Sequence, residues 1–208
     1  GLGSGLGDGC DGFLWLRGRQ TRRSTQRRSS AASDGDKRQE LTKDQSSVRL
    51  RTALRLEGEW MPAVLKKAND QLRVIRSEQR DAGGLVIATD QEHAQHIAIL
   101  LRDRFGVPAD VVVSDDPGAS KKIAEFSEND RPWLVSVRMV SEGVDIPRLR
   151  VGVFATTTST ELFFRQAVGR FVRWQAGRAS QKAYVYIPDD PRLRAHAFTI
   201  AEARRHVL

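Results

Sequence analysis

Residues 84 to 105 read GLVIATDQEHAQHIAILLRDRF, a short β-branched run passing straight into a stretch with helical spacing. A strand followed at once by a helix is half of a βαβ unit, and the same alternation recurs downstream. DVVVS (110 to 114), WLVSV (133 to 137), RVGVFAT (150 to 156) and KAYVYIP (182 to 188) are further strand-like runs. Helical stretches at 91 to 105, 118 to 128 and 160 to 173 separate most of them. Strands alternating with helices predict an α/β fold, a three-layer and mainly parallel sheet with helices on both faces. Ligands of such sheets sit at the carboxyl ends of the strands.

Upstream the pattern changes. From Val48 to Arg80 the spacing of Leu50, Leu54, Val64, Leu65, Leu72 and Ile75 predicts helical segments, so 47 to 82 reads as a helical linker. Residues 1 to 46 are Gly-rich and then Arg/Ser-rich, too poor in apolar side chains to offset ordering entropy, and are expected to form a disordered tail. The opening GLGSGLGDGCDG is not a dinucleotide loop. The registers that begin at Gly1, Gly3 and Gly5 fail at the sixth position, where Leu6, Asp8 and Cys10 stand; Gly7, Gly9 and Gly12 have the spacing, but no strand precedes them.

The 208 residues carry a formal charge of +8, a balance that favours a polyanionic partner. The single Cys10 excludes an intrachain disulfide and a thiolate zinc site, and points to the reducing cytoplasm. No apolar run approaches the roughly 18 residues of a membrane span. The chain starts with Gly rather than Met, as a fragment or a processed product would.

Two segments carry chemistry. In RMVSEGVDIPRL (138 to 149), Gly143 allows a tight turn, Asp145 offers a carboxylate and Pro147 ends any helix. In FFRQAVGRFVRW (163 to 174), helical spacing puts Phe164, Val168, Phe171 and Val172 on one side, with Ala167 at its margin. Gln166, Gly169, Arg170 and Arg173 fall on the other. The first side suits burial against a sheet. The second aims a carboxamide and two guanidinium forks, matched to phosphate oxygens, outward past a small residue that permits close approach.

In order and spacing, GLVIATD (84 to 90), VSVRMVSEGVDIP (135 to 147) and QAVGRFVR (166 to 173) resemble motifs IV, V and VI of the second RecA-like domain of superfamily 2 helicases, in particular the restriction-subunit-like DEAD/DEAH group. The resemblance implies a RecA-like helicase C-terminal domain over 83 to 190, followed by a C-terminal helix from 191 to 208. It also implies roles. Arg170 and Arg173 would be arginine fingers, and Gln166 would contact the same phosphate or the attacking water. Gly143 and Asp145, with Glu142 and Gly169 beside them, would approach the nucleotide. Thr89, Ser136, Val137, Arg138 and Thr157 would lie near the nucleic-acid backbone, although many relatives place Thr where Val137 stands.

The sequence contains neither G-x-x-x-x-G-K-[ST] nor D-E-x-[DH]. The implied cofactors, ATP and Mg2+, would therefore be held mainly by a first RecA-like P-loop domain absent from this chain. The expected function is the second motor domain of an ATP-dependent helicase or translocase, with DNA favoured over RNA and no activity in isolation. The alternative is a non-catalytic nucleic-acid-binding module. His93 and His96 lack a third ligand at suitable spacing and read as packing or solvated residues. His196 and His206 read as surface residues, Asp190 and Pro191 as a helix start, and Asp115 and Asp116 as turn formers. Trp133 reads as a packed residue at a strand start.

Overall fold

The computed structural model describes residues 12–17, 43–55, 58–113, 116–137, 146–171 and 182–205. Six strands, β1 (Gly12–Arg17), β2 (Gly83–Ala88), β3 (Ala109–Val112), β4 (Trp133–Val137), β5 (Leu149–Ala155) and β6 (Lys182–Ile187), form one sheet. Six helices accompany them: α1 (Lys43–Ala53), α2 (Trp60–Glu78), α3 (Gln91–Phe105), α4 (Ala119–Glu128), α5 (Glu161–Phe171) and α6 (Pro191–Arg205). The strand order is β1-β6-β5-β2-β4-β3. β2 to β6 are mutually parallel and β1 runs antiparallel to β6. This is the mainly parallel, two-sided sheet that the alternation predicts.

Alternation along each strand divides the core. Leu85, Ile87, Leu134, Phe154, Val185 and Ile187 face one side, where α4, α5 and α6 pack. Val86, Ala88, Trp133, Val135, Val151 and Val153 face the other, against α2 and α3. Both faces of the central strands are buried, which is why these runs read as continuous apolar stretches. The expected linker is part of this second layer: Met61, Val64, Leu65, Ala68 and Leu72 of α2 are buried, together with Leu50 and Leu54 from α1 and the residue after it.

The tail differs from expectation at one place. Gly12–Arg17, inside the segment expected to be disordered, pairs with β6 over six residues, from Gly12 opposite Ile187 to Arg17 opposite Lys182. GFLWLR is a short β-forming run, and averaging composition over 46 residues hides it. The open edge of β6 supplies the backbone groups that the run completes.

Two contacts hold the sheet ends near the site. Gly84 lies beside Trp133 in the β2–β4 pair, and a Cβ there would stand 2.4 Å from the indole ring. The buried indole donates to Asn69 Oδ1 at 3.0 Å, joining α2 to the sheet. Arg148 is buried and donates to the carbonyl oxygens of Phe126 (2.7 Å), Asp81 (2.9 Å) and Arg131 (2.8 Å), while its guanidinium lies 3.9 Å above the Phe126 ring. Burial, reinforced by nearby Arg76, lowers its pKa to about 10, so it stays charged at neutral pH.

Candidate functional site

α5 is fixed by its apolar face. Phe164, Ala167 and Val168 are buried, and the Phe164 ring meets Phe154 of β5 edge-on with centroids 5.3 Å apart. Gln166 and Gly169 are thereby exposed and Arg170 is half-buried. A Cβ at Gly169 would meet nothing within 4 Å, so packing among the described residues does not require a glycine there. Glycine at a helix interior costs about 1 kcal/mol relative to alanine.

Arg170 lines a cavity of about 20 Å³ with Ser136, Ile146, Leu149, Ile123 and Leu134. Ser136 and Ile146, near the two ends of the 135 to 147 segment, thus adjoin Arg170 of α5. Ser136 is 2% exposed, shares a strand face with Leu134, and its hydroxyl has no hydrogen-bond partner among the described residues. It therefore stands on the α5 side of the sheet. Arg173, Arg138, Glu142, Gly143 and Asp145 lie outside the described residues.

The other face of the sheet carries a groove of about 710 Å³. Thr89, at the end of β2, and Thr157, exposed beyond β5, both line it, so the structure brings these two together and separates them from Ser136. Val137, half-buried, ends β4. The opposite wall comes from Arg51, Leu54 and Arg55 at the end of α1, and the floor from α3. The sequence reading missed these arginines; their i,i+4 spacing around buried Leu54 was the available signal.

The start of α3 is locked locally. Asp90 caps the helix by accepting the His93 N–H at 2.8 Å. The Thr89 N–H donates to His93 Nδ1 at 3.2 Å, and the Thr89 hydroxyl donates to the Ala155 carbonyl at 3.3 Å. Burial lowers the His93 pKa below 6.5 and neighbouring His96 adds to this, against Asp90 and the Leu54 backbone, which favour the cation. His93 is thus a packed, neutral residue whose ring nitrogen serves the β2–α3 turn.

The remaining candidates have structural places. Asp116 accepts the Gly118 N–H at 2.8 Å and pairs with Lys122, as a turn residue does, while Asp115 lies outside the described residues. Asp190 caps α6, accepting the Arg192 N–H at 2.9 Å. His196 is half-buried rather than on the surface: its Nε2 lies 3.0 Å from the Ser159 carbonyl oxygen and its ring packs near Phe164. His206 lies outside the described residues. Among the described residues no cluster of three His, Cys, Asp or Glu could hold a metal ion, and no helix is long and apolar enough to cross a membrane.

Residues 66–175 match the family model described as helicase conserved C-terminal domain. An uncharacterized protein of Mycobacterium leprae is 48% identical over 168 residues, which cover 81% of this chain and 28% of the relative. One from Mycobacterium tuberculosis H37Rv is 49% identical with the same coverage. The chain thus spans 28% of the length of these curated relatives. Among solved structures, T4 UvsW is similar at 15% identity and a TM-score of 0.46, over 82% of this chain and 35% of that one. The Hef helicase domain of Pyrococcus furiosus is similar at 24% identity and a TM-score of 0.42, over 64% and 28%.

Proposed function

This chain belongs to the family of helicase conserved C-terminal domains, and from that premise we propose that it is the second motor domain of an ATP-dependent, superfamily 2 nucleic-acid helicase or translocase acting on DNA. The observation that carries the proposal is the junction at the end of β4, where Arg170 of α5 and Ile146 of the preceding loop line one small cavity. In this reading the two segments move as a unit, in keeping with the wall that Arg170 and Ile146 share.

In this reading α5 supplies the chemistry of the domain. Its buried Phe164, Ala167 and Val168 hold the helix rigid, so Arg170 needs little reorganisation to meet developing negative charge. Gln166, on the exposed side, orients the attacking water or a phosphate oxygen. Gly169 keeps the helix surface low enough for an opposing domain to approach, a use consistent with the open space above it. Arg170 and Gln166 fit the anionic end of a triphosphate, whereas Mg2+ has no cluster of ligands among the described residues and would be placed by a P-loop domain. ATP, when bound there, supplies the γ-phosphoryl group whose transfer to water drives the cycle. Arg173, Gly143 and Asp145 are assigned to the same cleft by resemblance alone.

The test is ATP turnover by a polypeptide that joins this domain to its P-loop partner. Arg170→Ala should lower kcat by about 10³-fold or more with ATP affinity nearly intact. Turnover within a few fold of the parent would remove Arg170 from the catalytic role.

A further inference from the structure

We infer that the groove between the end of α1 and α3 is a track for the sugar-phosphate backbone of single-stranded nucleic acid, gripped by Arg51, Arg55 and Arg104. The inference rests on the nucleic-acid reading above and assigns it residues outside the 66–175 family match, Arg51 and Arg55.

Exposed arginines without a partner among the described residues converge on this groove, whereas Arg73 and Arg80, exposed and equally unpaired among those residues, lie outside it. On the surface, Arg49 pairs with Asp189 at 3.7 Å, Arg102 with Asp103 at 2.7 Å, Arg165 with Glu161 at 3.3 Å and Arg194 with Asp189 at 2.9 Å. Arg51, Arg55 and Arg104 are exposed and have no side-chain hydrogen bond or ion pair among the described residues, and all three line the same groove. Two of its three acids are already engaged. Asp90 caps α3 and Asp103 is held by Arg102, which leaves Glu92. The cations are therefore the groups left to meet a ligand, and a guanidinium presents a fork that matches phosphate oxygens.

The rest of the lining suits the same ligand. Thr157 is exposed at the groove, and the 43%-exposed Ile99 offers apolar surface to sugars or bases. A volume of about 710 Å³ is in the range of pockets that hold a drug-sized molecule, room for a short stretch of one strand. The groove lies on the α2/α3 face of the sheet and Arg170 on the α5 face, so the ligand here is not the triphosphate.

The experiment is fluorescence anisotropy of a labelled oligothymidylate with the full chain across a salt series. Each phosphate contact to a single strand contributes about 0.7 to the slope of log K against log salt. The Arg51→Gln/Arg55→Gln variant should lose about 1.4 from that slope, and adding Arg104→Gln about 0.7 more. Arg73→Gln/Arg80→Gln removes two exposed arginines outside the groove and should keep the parent slope. Parent chain that binds, with a groove variant of unchanged slope, overturns this inference alone. A control that loses as much as the groove variant also overturns it. Parent chain that does not bind the oligonucleotide at all removes the nucleic-acid reading, and this inference with it.

Discussion

His93 is held neutral where two elements join. Burial depresses its pKa below the ordinary 6.5, so the folded chain resists a proton that the unfolded chain accepts. Its contribution to stability is present above pH 6.5 and is lost as pH falls from there through the lowered folded value. Protonation would also cost the Thr89 N–H its acceptor. The thermal midpoint of the parent chain should therefore fall between pH 7 and 5.5, and His93→Gln should flatten that fall; equal slopes in the two proteins would refute the account. The depressed carboxyls of Asp116 and Asp190 act only below their ordinary 3.8, outside this window. At this scale the sequence was readable where one face of a helix is polar: Gln166, Gly169 and Arg170 fall together because 3.6-residue spacing leaves them no other place. It was not readable for Ser136. In a strand buried on both faces, period-2 alternation separates two sides without saying which of them meets α5.

Two glycines, one in a strand and one in a helix, should respond oppositely to alanine. At Gly84 a Cβ would run into the Trp133 indole, which is buried and tied to Asn69, so neither ring nor strand can yield. Gly84→Ala should cost about 1–3 kcal/mol, the range of overpacking. At Gly169 the added methyl meets open space, and Gly169→Ala should gain up to about 1 kcal/mol of helix stability. Urea midpoints of the two variants check both signs. Elements were also the level at which the sequence read best. WLVSV and the 91 to 105 helix agree residue for residue with β4 and α3, and the other β-branched runs lie within two residues of β2, β3, β5 and β6. The groove was invisible because it joins α1 to α3 across about forty residues, and spacing along the chain does not report such a neighbour.

For the molecule as a whole, alternation in the sequence implied a parallel sheet but left its strand order open. That order sets β2 between β4 and β5, which brings Thr89 beside Thr157, while α5 holds Arg170 on the opposite face. Nucleotide and strand would then act on two sides of one rigid sheet. The sheet also has two lateral borders. β3 is four residues long and carries Asp110 paired with Arg131, a short and charged border. On the far side β1 lies along β6, so the chain supplies its own last strand. A version beginning after residue 17 would leave β6 with a bare row of amide and carbonyl groups flanked by Ala183, Val185 and Ile187. Such a border recruits any strand it meets, including its twin on another copy. Sedimentation of the shortened chain should therefore show association that grows with concentration, while the 208-residue chain stays a single species. The six residues that composition dismisses would then be the chain's protection against polymerising with itself.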